Sequence, residues 1–297
     1  MKLTAVTGDD ATTARGRTAR RLFELLEPIC LVTYFADECN EELAALGHRT
    51  YWDGYFASRA APLGRVPAQV VHAAFYSFAE GEAARHIPSA WETVPPETSF
   101  AAWQRGSANS VRRILGDELA GSPGLARAAD LTTKAATSAP MEGRVMYAGL
   151  RTLPVPGDPV TRLWHSANML REHRGDGHVA ALVSALVSPV QSHLLKIAAG
   201  EAPEQSLQQG RAWSQDAWTS ARTDLIDRGW LAADGALTDE GRRCKQDIEM
   251  RTDAAAESPW SVLGPVRTAE LRKGKQRRWS TRPSLWVVDG AGRLGWG

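Results

Sequence analysis

The chain has only three cysteines among its 297 residues, Cys30, Cys39 and Cys244, and none belongs to a Cys-x-x-Cys pair. That excludes a disulfide framework and a thiolate zinc knuckle. It fits a reducing compartment, so a cytoplasmic protein with free, buried thiols at Cys30 and Cys39 is expected. No run approaches the ~20 apolar residues of a membrane span. Residues 1–21 are polar and rich in Thr and Arg, without the apolar stretch of a secretory leader. Neither sign of charge is in excess: 35 Lys and Arg face 34 Asp and Glu. That balance removes any bulk-charge argument for nucleic acid or an acidic membrane. A Gly-rich phosphate loop, a dinucleotide fingerprint, a His-Glu-x-x-His motif and an ordered Ser-His-Asp set are all missing. No reaction can therefore be read from a motif, and neither a cofactor nor a metal is expected.

What is present is helical patterning. Leu22, Leu25, Leu26, Ile29, Val32 and Phe35 recur at three-to-four spacing and predict a helix from 19 to 46, kinked or broken at Pro28. Further helices are expected at 51–61, 67–78, 100–119 and 124–137. Asp158-Pro159 supplies an N-cap acid and an N1 proline for a helix running to about His173. Others follow at 177–187, 191–199, 204–210 and 214–228. Arg59-x-x-Pro62-x-x-x-x-Pro67 and Arg151-x-x-Pro154-x-x-x-x-Pro159 share their spacing. Each precedes an apolar helix carrying a histidine, His72 or His165. Two copies of one helical unit and coincidental loop chemistry both fit that match.

The clearest architectural signal is 225–241, LIDRGWLAADGALTDEG. A helix ends at Gly229, Asp234-Gly235 suits a tight hairpin, and Thr238 caps another helix. Helix, Asp-Gly hairpin and Leu-Thr-x-x-Gly helix start resemble the C-terminal half of MarR-type winged-helix regulators. The segments 51–64 (YWDGYFASRAAPLG), 163–183 (LWHSANMLREHRGDGHVAALV) and 248–260 (IEMRTDAAAESPW) carry the likeness further. Over residues 20–263 the chain resembles an actinobacterial helix-turn-helix family distantly similar to MarR, whose members are mostly known by fold alone. The expected fold is mostly α with small β-hairpins: tandem winged-helix-like units, the N-terminal one degenerate and the C-terminal one clear. The expected divisions are a flexible arm (1–18), two domains (19–140 and 141–263) and a basic, tryptophan-containing tail (264–297) that departs from the resemblance.

The segment from Arg171 to His178 holds only charged, imidazole and glycine residues. It reads as a loop between two apolar helices, with Asp176 capping the second. Ionisable groups pressed against a core lose hydration and need partners or a ligand. Three readings stay open. Arg171, Glu172, Arg174 and Asp176 can form a salt-bridge network. His173, His178 and His165 can share a metal, although the ligand spacing is wrong for it. Or a small-molecule pocket exists in which an arginine holds an anion, a histidine moves protons, and Trp164 forms a wall. Arg59, among small apolar residues, is expected to pair with Asp53 or Glu172. The candidate ligand contacts are thus Arg59, Trp164, His165, Arg171, Glu172, His173, Arg174, Asp176 and His178.

Ser214, Gln215, Thr219 and Arg222 are the candidate DNA contacts on the 214–228 helix. Asp216 and Asp224 on the same helix repel phosphate, and the hairpin tip has no Arg or Lys. The function expected is a regulator-like binding protein with a small-molecule ligand between its halves, double-stranded DNA as a second partner, and homodimerisation. The alternative is a small-molecule enzyme on the same scaffold, with the 171–178 segment binding substrate and transferring protons.

Overall fold

In the computed structural model, the backbone is described for residues 8–279, 286–288 and 294–296, and side chains for 16–271. The first helices are α1 (Gly8–Phe35), α2 (Asp37–Ala45), α3 (Tyr51–Ala60), α4 (Ala68–Phe75), α5 (Glu82–His86) and α6 (Ser89–Thr93). They are followed by α7 (Pro96–Leu115), α8 (Asp117–Ala120), α9 (Pro123–Ser138), α10 (Val145–Arg151) and α11 (Pro159–Ser184). The remainder is α12 (Pro189–Ala198), α13 (Glu204–Gly210), α14 (Gln215–Asp227), α15 (Asp239–Ala255), α16 (Ser258–Ser261) and α17 (Gly264–Trp279). Two short strands, β1 (Trp286–Val288) and β2 (Leu294–Trp296), pair antiparallel beyond α17.

The organising element is α11. It packs against α1, α7, α9, α10 and α15 and is buried on nearly every side. Its sequence shows little apolar stripe, because a helix enclosed all round needs none. Leu163, Trp164 and Met169 join Leu22, Leu26 and Trp103 in the main core. A second, aromatic core of Phe56, Phe75, Phe78 and Trp91 gathers α3 to α6. A third holds α12, α14 and Leu231 together around Trp218 and Leu225.

Several expectations are corrected. The 171–178 segment is no loop: it lies inside α11, with Glu172, His173, Arg174, Asp176 and Gly177 buried. Its glycines serve close approach instead of a turn. The Arg144 guanidinium lies where a Cβ on Gly177 would be, and from there it donates to the carbonyls of His173 (2.8 Å) and Ala255 (2.9 Å). Pro28 does not break α1, because Leu22 and Leu26 before it and Ile29 and Val32 after it enter one core. Packing on both sides outweighs the ~3 kcal/mol of an interior proline. The chain is already helical from Gly8, so only 1–7 of the expected arm falls outside the described residues.

The winged-helix architecture with its β-hairpins is also overturned. Between α14 and α15, Leu231 and Leu237 form one isolated bridge and no strand ladder. Ala232, Ala233 and Ala236 offer no branched or aromatic side chains for cross-strand packing, so the segment closes as a turn. Ala232 N donates to Ala236 O and Gly235 N to Ala232 O, each at 2.9 Å. Among the described residues of 19–140 there is no strand, and helices with one short 3₁₀ turn fill that half. The basic tail is helical to Trp279, and its tryptophans at 286 and 296 lie on β1 and β2.

Candidate ligand-binding site

Because α11 is enclosed, its charged residues must find partners, and Arg171, Glu172 and Arg174 do so at two nodes. At the first, Glu172 (side chain 4% exposed) accepts from Arg59 Nη2 at 3.2 Å and from Arg171 Nη1 at 2.9 Å. Arg59 also donates to the Tyr55 hydroxyl at 2.8 Å and lies 4.1 Å from the Phe75 ring centroid. Arg171 reaches the Tyr34 hydroxyl at 3.3 Å. Burial alone would raise the Glu172 pKa and lower those of the arginines. Their mutual attraction more than offsets it, so Glu172 stays below the usual carboxylate range and Arg59 and Arg171 lie above their ordinary value. Tyr34, buried beside them, is pushed up to about 12. Of the two partners expected for Arg59, Glu172 is the actual one; Asp53 pairs with His86 at 2.8 Å.

At the second node, Arg174 and Arg20 of α1 share the two carboxylates of α15. Arg174 reaches Asp253 at 2.7 Å and Glu249 at 3.3 Å; Arg20 reaches the same pair at 2.7 and 3.0 Å. Two cations meet two anions, and the node fastens α1, α11 and α15 together.

A cavity of about 500 Å³ opens beside both nodes. Six of the nine expected ligand residues border it: Arg59, Arg171, Glu172, Arg174, Asp176 and His178. Asp176 accepts from the Tyr147 backbone N–H at 3.0 Å, and burial pushes its pKa up to about 6. The other three residues belong to the core. Trp164 donates through Nε1 to Thr33 at 2.8 Å, His165 packs edge-on to Phe100, and His173 packs edge-on to Tyr147. Among the described residues no group of three or more His, Cys, Asp or Glu is placed to hold a metal ion.

The sequence reading missed the opposite wall, formed by His193 and Lys196 on α12 and by Lys245, Glu249 and Thr252 on α15. One signal was available. His193 and Lys196 lie three apart, on one side of a helix whose Val190, Leu194 and Leu195 are buried in the core. Burial lowers the Lys196 pKa, and Glu249 and Glu201 restore only part of it. Tyr76 closes the end of α4 with a positive φ of 58° and donates its hydroxyl to the Val187 carbonyl.

Burial lowers four histidines, His165, His173, His178 and His193, from 6.5 to about 4. They are folded in as neutral rings, while the unfolded chain binds protons from pH 6.5 downward. Stability is therefore expected to be unaffected by these groups above pH 6.5, to fall between 6.5 and 4, and to level off below. Urea midpoints at pH 7.5, 5.5 and 4.5 test this; an unchanged midpoint across that window refutes it.

α13 and α14, joined by a turn across residues 211–214, pack on α12, which lines the cavity. Ser214 caps α14 by accepting from Ala217 N at 3.2 Å. Trp218 is buried and donates to Glu204 at 2.7 Å. Ser214, Gln215 and Thr219 are exposed, Gln215 bonding Thr219 at 3.3 Å, while Arg222 is held by Glu204 at 2.5 Å. Asp216, Asp224 and Asp227 are exposed on the same helix. The turn before α14 is tied to the cavity wall: the Ser77 carbonyl accepts from His193 Nε2 at 2.9 Å and from Trp213 Nε1 at 3.2 Å.

Residues 19–281 match the model of a helix-turn-helix family. No curated protein and no solved structure matches the chain. Among the described residues no single helix is long and apolar enough to cross a membrane.

Proposed function

This chain belongs to a helix-turn-helix family, and from that premise we propose that it is a regulator-like binding protein. A small molecule in the cavity bears on how α14 meets double-stranded DNA. One observation carries the reading: the cavity is walled by α1 and α11 on one side and by α12 and α15, which flank α13 and α14, on the other. A ligand there contacts α12 and α15 as well as α1 and α11, and reaches α14 only through them. The shared Ser77 carbonyl, joined to His193 in the cavity and Trp213 before α14, gives its effect a short route. The match to a helix-turn-helix family over residues 19–281 supports the same role. In this reading Ser214, Gln215 and Thr219 face base edges, and Arg222 meets phosphate after exchanging its bond with Glu204.

Two measurements test it. Mobility shifts on random-sequence duplex at low salt are expected to show weak binding that weakens further with salt, Arg222→Ala reducing the salt slope by about 1. Thermal shifts with a panel of small carboxylates and phosphate esters are expected to raise the melting temperature, and Arg171→Ala to reduce that rise. No retardation at low salt sinks the DNA half; no stabilisation by any of the panel sinks the ligand half.

The exposed aspartates of α14 favour the second reading, a small-molecule enzyme on the same scaffold. There Asp176 and His178 exchange protons with a substrate held by Arg171. Ligand stabilisation without DNA retardation would favour that reading.

A further inference from the structure

Where α11, α12 and α15 meet at the cavity, three side chains have bonding capacity left over. Thr252 donates its one hydroxyl proton to the Ile248 carbonyl at 2.8 Å. Toward His178 Nδ1, 3.0 Å away, Thr252 is then the acceptor, so Nδ1 carries the ring proton and Nε2 is a bare lone pair. His193 lies with Nε2 2.9 Å from the Ser77 carbonyl, which can only accept. Its proton is therefore on Nε2, and Nδ1 is a second bare lone pair. The residue is 4% exposed, and Nδ1 has no partner among the described residues.

Lys196 lies one turn along α12 from His193. Among the described residues its ammonium makes no hydrogen bond or ion pair, although Glu249 and Glu201 lie in its field. Both acids are already engaged, Glu249 with Arg20 and Arg174, and Glu201 with Lys245. The Lys196 ammonium is thus left without a hydrogen-bonded acid of its own.

A ligand that satisfies these groups brings one negative charge to the ammonium and a hydrogen-bond donor to a ring nitrogen. We propose that this corner of the cavity takes a small hydroxy acid. Its carboxylate lies against Lys196, and its hydroxyl donates to Nε2 of His178 or Nδ1 of His193. The rest of the molecule lies toward the Phe75 and Leu182 walls of the cavity. This rests on the reading that the cavity holds a small molecule, and it names that molecule's class. An amine would be repelled by Lys196. A simple carboxylate brings no donor to either ring nitrogen, which costs affinity relative to a hydroxy acid.

Isothermal titration of the full chain with mandelate, phenylacetate and benzyl alcohol separates the contributions of hydroxyl and carboxylate. Mandelate is expected to bind about tenfold tighter than phenylacetate, which lacks the hydroxyl, and tighter still than benzyl alcohol, which lacks the charge. Lys196→Met is expected to erase the advantage of mandelate over benzyl alcohol. His178→Phe and His193→Phe, taken singly, are expected to show which ring carries the advantage over phenylacetate. The wild-type comparison needs no variant to fold. Equal binding of mandelate and phenylacetate overturns this proposal and leaves the cavity reading intact. No binding of mandelate also overturns it, and the carboxylate and phosphate-ester panel then decides the cavity reading separately.

Discussion

Glu172→Ala is expected to lower the free energy of unfolding by about 3–5 kcal/mol, because it strands two desolvated guanidiniums at once. Arg59 and Arg171 have side-chain exposures of 15% and 24%, so neither can turn to bulk water without leaving its packing on Phe75 or Tyr34. The attraction that holds Glu172 below the usual carboxylate range also sets a pH limit. Its contribution is fully present above the unfolded value of 4.5 and is lost as pH falls through the lower folded value. Removing one partner differs from removing all three. The combined variant Arg59→Met, Glu172→Leu, Arg171→Met is expected to lose far less than Glu172→Ala, since no ion is left buried alone. Urea denaturation of the two variants at pH 7 tests this. A loss under about 1 kcal/mol for Glu172→Ala would mean that the node is effectively solvated and that its charge is not set by burial.

What could be read from the sequence depended on whether the signal was local. The helix starts at Asp158-Pro159, Ser214 and Thr238 were legible, because each rests on a side chain capping its own backbone, and all three caps form. The Arg59–Glu172 pair was within reach because an arginine among small apolar residues demands a carboxylate. The continuity of α11 through 171–178 was not legible. A run of charges and two glycines imitates a loop, and only the helices packed around it, with Arg144 occupying the space beside Gly177, make it helical. The 230–237 hairpin failed for the converse reason. Its turn signal was sound and Leu231 bridges Leu237, but the alanines between them offer no cross-strand packing, and turn chemistry alone does not build a ladder. The α12 side of the cavity was hidden because His193 and Lys196 acquire meaning only beside α15, some fifty residues further along.

Gly106→Ala carries the second large expectation, and its sign is diagnostic. In an open helix, alanine for glycine stabilises by up to about 1 kcal/mol. Gly106 lies where α7 crosses α2, and a Cβ there would fall 2.6 Å from the Cys39 Cα, 2.7 Å from the Glu38 carbonyl oxygen and 2.9 Å from the Cys39 nitrogen. All three are backbone atoms, so no rotamer change relieves the overlap and the helices must separate. Separation strains the bonds made at the crossing, Ser110 to Glu38 at 2.9 Å and the Cys39 thiol beside Ser107 at 3.5 Å. It also disturbs Thr33–Ser107 at 2.7 Å, and Thr33 is the residue that holds the Trp164 indole N–H of α11. The expected net effect is a loss of about 2–3 kcal/mol. Gly124→Ala in α9 is the matched control. Its Cβ would meet only the Ser122 hydroxyl, at 3.9 Å, so it is expected to be neutral or mildly stabilising. Urea midpoints of the two variants measured side by side separate crossing geometry from helix propensity. If Gly106→Ala tracks Gly124→Ala, the close α2–α7 approach is wrong, and with it the account of how Trp164 is held at the centre of the fold.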